Sequence, residues 1–123
     1  MTEAQTALSR RVVACKGWRW MPGTLRLRAT PPSRRDHLKG EGRVPDGGDP
    51  WVYVAWPVIP DLTDPATLGC LLALVREAWV QDDLVAFRFG EQWCTEVTPQ
   101  EGLHYVYGAS EAEALVAALE AAP

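Results

Sequence analysis

The sequence predicts an α+β domain: a mostly antiparallel sheet packed by three helices, in the order α-β-loop-β-α-β-β-β-α. Three observations carry this. Residues 64–79 (DPATLGCLLALVREAW) set an N-cap aspartate and a first-turn proline ahead of an apolar stripe. Residues 84–108 hold three short β-forming runs parted by turn residues, the pattern of an antiparallel meander. Residues 110–122 (SEAEALVAALEAA) open with Ser110 and Glu113 in capping-box spacing and continue on a helical apolar face.

The elements follow in order. Over residues 3–15, Ala4, Ala7, Leu8, Val12 and Cys15 recur at helical spacing behind a Thr2/Gln5 capping box, and Gly17 ends the segment. In TLRLRA (24–29), Leu25 and Leu27 alternate with Arg26 and Arg28, which predicts a strand with one arginine face. Residues 30–50 mix Pro, Gly and charge without a sustained period and read as a long loop with a mobile tip and a short strand within it. WVYVAWPVI (51–59) is strongly β-forming, but Pro57 lacks a donor and places it at a sheet edge or a strand end. In the helix that follows, Leu68, Leu71, Leu72, Val75 and Trp79 form a stripe that Leu74 and Ala78 widen, so most of its circumference is expected to be buried. Gly69 within it reads as a close approach by another backbone. The meander comprises LVAFRF (84–89), QWCTEV (92–97) and LHYVYG (103–108), and the last helix completes the chain.

At 123 residues the chain has room for one core, a single domain spanning 1–123. Its 47% apolar content with six Trp is ample for that core without metal or disulfide. Cys15, Cys70 and Cys94 are odd in number and far apart, and read as reduced, buried thiols. No secretory leader pattern opens the sequence and no apolar run approaches the roughly 20 residues of a membrane span, so a cytoplasmic protein with no membrane partner is expected. Charge is segregated: residues 1–43 carry a balance of +7 and residues 44–123 a balance of −11. That division either offers a cationic face to a phosphate-bearing ligand or lets the two segments attract each other. The acidic majority makes a nucleic-acid partner an unfavoured expectation, because duplex affinity depends on many Lys/Arg contacts.

Catalytic constellations are sparse. His37 and His104 lack the neighbours of a metal motif, a Cys94–His104 nucleophile pair has no supporting signature, and the glycines of 40–48 are not followed by a phosphate-binding Lys-Ser/Thr pair. No catalytic residue, metal ligand or cofactor is therefore assigned. What remains is a set of cations and rings on short strands. Arg26 and Arg28 share a strand face, Arg43 follows in the loop, and Arg88 begins the meander that carries Trp93, His104, Tyr105 and Tyr107. A guanidinium fork grips phosphate and an aromatic ring stacks on a base, so these eight residues are expected to line a site for a small nucleotide-derived ligand. Each also has an ordinary structural use, the tryptophans as core and the arginines as a solvated sheet face.

The stretches GWRWMPG (17–23), DPATLGCLLALVREAW (64–79) and EAEALVAALEAA (111–122), about a third of the chain, together resemble a family of small phage- and prophage-encoded proteins. Within it the chain looks like the first-described type of Thoeris anti-defence sponge. The resemblance implies a non-enzymatic homo-oligomer in the cytoplasm of an infected bacterium that sequesters a cyclic ADP-ribose isomer without cleaving it, in pockets near subunit contacts. It carries over no individual binding residue. A second expectation is a phage protein that inhibits a host protein by direct contact.

Overall fold

The computed structural model describes residues 2–28, 42–47, 58–98 and 102–123. Among them, three helices and six strands follow the expected order, and the fold is α+β. Helix α1 (Glu3–Val13) starts at Thr2, whose hydroxyl accepts from the Gln5 N–H while the Gln5 side chain accepts from the Thr2 N–H. Strand β1 (Leu25–Arg28) lies between β2 (Gly42–Arg43) and β3 (Val58–Pro60), antiparallel to both. The short strand expected inside the 30–50 loop is β2. Residues 30–41 and 48–50 of that loop, and the 51–57 part of the β-forming run with Trp51 and Trp56, lie outside the described residues.

Helix α2 (Pro65–Trp79) has Asp64 as its N-cap and Pro65 in its first turn, as its sequence specified. Its buried face is narrower than expected: Thr67, Leu71, Leu74 and Val75 are buried, and Leu68, Leu72, Ala78 and Trp79 pack partly against the core. Gly69 departs from its reading. It is exposed and a Cβ there would meet nothing within 4 Å, so no described backbone approaches it. The helix closes on Val80 at φ 51°, a left-handed conformation that costs a non-glycine residue about 1–2 kcal/mol, with the side chain 91% exposed.

Strands β4 (Ala86–Phe89), β5 (Gln92–Val97) and β6 (His104–Gly108) form the meander, and α3 (Glu111–Ala121) follows behind its Ser110 cap. The β4–β5 turn pivots on Gly90 at φ 67°, which a glycine adopts without strain. The strands form two three-stranded sheets rather than one, β2-β1-β3 and β4-β5-β6. Helix α2 intervenes between β3 and β4 in the chain, and each group of strands pairs within itself.

Helix α3 joins the parts. It packs on β4, β5 and β6 and also on α1 and α2. Leu115, Val116, Ala118 and Leu119 meet Val12, Leu71, Val75, Leu84 and Val97 in one core. The Trp79 indole donates to the Ala118 carbonyl at 2.8 Å, tying α2 to α3. No helix among the described residues is long and apolar enough to cross a membrane.

Candidate binding face

The register of the second sheet sorts its side chains between two faces. Phe87, Cys94 and Tyr107 lie opposite one another across β4, β5 and β6, as do Glu96 and Tyr105, and Phe89 and Gln92. Paired residues share a face, and alternate residues along a strand return to it. Phe87, Phe89, Cys94, Glu96, Tyr105 and Tyr107 therefore lie on one side. Ala86, Thr95, Val97, Val106 and Gly108 lie on the other, where α3 covers them.

Among the described residues no helix lies over the first side. Phe89 is 67% exposed, Tyr105 48% and Tyr107 49%, and Val85 continues the alternation just before β4. The Tyr105 and Tyr107 rings stand side by side with centroids 6.4 Å apart. Cys94, between Phe87 and Tyr107 in register, is only 1% exposed. Burial, then the nearby Glu96 charge, pushes its thiol up from the ordinary range, away from the nucleophilic thiolate. Among the described residues Glu96 is the one ionisable carboxylate on these strands' open side, and no described cation shares it.

The eight residues singled out from the sequence do not form one pocket within the described chain. Tyr105 and Tyr107 are on the open face. Arg88, Trp93 and His104 belong to the same sheet but point to the other side, Arg88 opposite Trp93 and His104 opposite Val97. Cys94 and His104 thus sit on opposite faces and cannot act as a nucleophile–base pair.

Arg26, Arg28 and Arg43 belong to the first sheet, and no strand of that sheet packs extensively against a strand of the second. Arg28 lies opposite Val58. Arg26 is buried rather than solvated, and its Nε donates to the Gly42 carbonyl at 3.0 Å. Arg43 is a clamp: its Nη1 donates to the Gly23 carbonyl at 2.8 Å and to Asp64 Oδ2 at 2.7 Å. The same Asp64 oxygen accepts from the Thr67 N–H and hydroxyl, and Thr67 Oγ1 accepts from the Leu25 N–H at 2.8 Å. The hydrogen-bonded guanidinium, helped by Thr67, holds the Asp64 carboxyl far below the usual carboxylate range. This network fastens the first sheet to the start of α2.

Sequence reasoning missed Phe87 and Phe89 as partners of the tyrosines. The signal was the Val85-Phe87-Phe89 alternation, which shows its meaning only once the register is known. It also missed a cavity of about 430 Å³ between the C-terminal ends of α1, α2 and α3, bordered by Arg11, Cys15, Lys16, Ala78, Leu119 and Glu120. There the Arg11–Glu120 ion pair at 2.6 Å occupies both charges. Desolvation, then the Glu120 charge, raises the Cys15 thiol, which disfavours the nucleophilic thiolate. Among the described residues no group of three His, Cys, Asp or Glu side chains is placed to hold a metal ion.

Comparison with known family models, curated proteins and solved structures found no match to this chain.

Proposed function

We propose that this chain is a binding protein that meets another protein through the open face of its second sheet. The observation that supports this is the concentration of exposed aromatic side chains, Phe89, Tyr105 and Tyr107, on a sheet side that no described helix covers. Contiguous apolar exposure of this kind marks interaction sites, and tyrosine is among the residues that dominate interface energetics. Glu96 among the rings sets the chemistry of the partner, which is an apolar protein patch carrying one basic residue to meet that carboxylate.

The test compares wild-type chain and a Phe89→Asp/Tyr107→Asp variant as immobilised baits. A protein held by the wild type alone is identified, purified and titrated, and Phe89→Ala is expected to weaken its binding roughly tenfold. Equal retention of every protein by the two baits refutes the proposal.

One observation favours a second reading, sequestration of a cyclic nucleotide signal by the sponge mechanism the resemblance implies. Two tyrosine rings 6.4 Å apart offer a surface on which an adenine can stack. The pyrophosphate would need cations from outside this face, since Arg88 points to the other side and Arg26 and Arg43 hold carbonyl and carboxylate oxygens. Dialysis of the same protein against a cyclic ADP-ribose isomer separates the readings. Depletion of intact compound supports sequestration, an unchanged free concentration ends it, and recovery of cleaved compound makes the chain an enzyme.

A further inference from the structure

We infer that the outer edge of β6 pairs antiparallel with β6 of a second copy of this chain, about a two-fold axis at Val106, joining two meanders into one six-stranded sheet. The pairing goes beyond the binding-face proposal and does not depend on what that face binds.

Strand β6 ends the order β4-β5-β6, and among the described residues no strand lies on its far side. Half of its backbone N–H and C=O groups therefore point outward, with no strand partner among the described residues. Natural edge strands are usually blunted by proline, charged side chains, a bulge or short length. His-Tyr-Val-Tyr-Gly has no proline, lysine or carboxylate, and its register with β5 runs unbroken from His104 to Gly108. The opposite edge is protected: β4 is shorter and carries the exposed guanidinium of Arg88.

Geometry selects the register. In an antiparallel ladder, outward-pointing groups must face outward-pointing groups, and these alternate along the strand. A two-fold axis passing between two residues would set outward groups against inward ones, whereas an axis on a residue matches them. Val106, the midpoint of β6, is the position that pairs all five residues. Tyr105 then faces the partner's Tyr107 on the open side, placing four tyrosines in adjoining rows. On the helix side Val106 faces the partner's Val106, and His104 faces the partner's Gly108.

The helices fit this arrangement. Helix α3 lies over β5 and β6 more than over β4. With strands about 4.8 Å apart, the two copies of α3 come to lie roughly 10 Å apart, the separation of packed helices.

Sedimentation equilibrium of the full chain should show a mass moving from one copy to two as concentration rises from micromolar to millimolar. Tyr105→Lys/Tyr107→Lys sets like charges opposite each other across the axis and is expected to weaken the dimer at least tenfold. Tyr105→Lys/Tyr107→Glu sets unlike charges opposite and is expected to restore it. All three proteins should share one circular dichroism spectrum, because both side chains are half exposed and outside the core. Edge pairing also slows hydrogen exchange at the outward amides of β6 roughly tenfold or more on dimerisation, which stacking of two open faces would not do. The inference is overturned by a single-copy mass throughout, by a dimer indifferent to the paired lysines, or by β6 edge amides that exchange equally fast in both states. Phe89 lies on the other edge strand, so Phe89→Ala should impair partner capture and leave the mass unchanged, which keeps the two proposals separately refutable.

Discussion

Replacing Leu115 by alanine is expected to lower the unfolding free energy by about 2–5 kcal/mol. Leu115 is fully buried at the point where α3 meets the second sheet and the other helices. Removing its isobutyl group loses apolar burial and leaves a void that structured neighbours on several sides cannot close. Denaturant unfolding reads the loss as a shifted midpoint at constant slope. Phe89→Ala is the contrast. A larger side chain is removed, yet from a position 67% exposed on the open face, so stability should move by no more than about 0.5 kcal/mol. Comparable losses in the two variants would mean that the open face belongs to the core, and the proposed binding surface would have no basis.

The second large effect is expected at Gly108, with a sign opposite to the usual one. Gly→Ala commonly stabilises by restricting the unfolded chain. At Gly108 a Cβ would lie 2.7 Å from the Glu113 carbonyl carbon and 2.9 Å from the Ala114 Cα, against the Ala114 nitrogen as well. These are backbone atoms of α3, and no side-chain rotation relieves the clash. The helix must lift from β6, and the cost should be about 1–3 kcal/mol or more. Gly69→Ala is the matched control: that position is helical and open, so stability should rise by about 1 kcal/mol. A Gly108→Ala protein as stable as the wild type would show that α3 does not sit this closely on the sheet.

The elements whose signals are local were legible in the sequence. Thr2, Asp64 and Ser110 cap the helices they were expected to cap, since a hydroxyl or carboxylate bonding an N–H three residues on needs no information from elsewhere in the chain. The runs 92–97 and 103–108 became β5 and β6 almost to the residue. The division into two sheets was not legible, because strand composition does not say which strands pair. The fates of Arg26 and Arg43 were hidden for the same reason. A guanidinium on an alternating strand looks solvated until its acceptors, the Gly42 and Gly23 carbonyls and the Asp64 carboxylate, arrive from other segments. The scatter of the eight site residues was partly foreseeable. His104 and Tyr105 are neighbours on one strand and must point to opposite sides. What the sequence withheld was the face that α3 would take.

Helix α3 supplies the inner covering of the second sheet and also contacts α1 and α2. During synthesis the meander leaves the ribosome before this helix, with Val97 and Val106 still wet and no surface to bury them. Burial of the meander's inner side by α3 must wait for the segment beyond residue 110 to emerge.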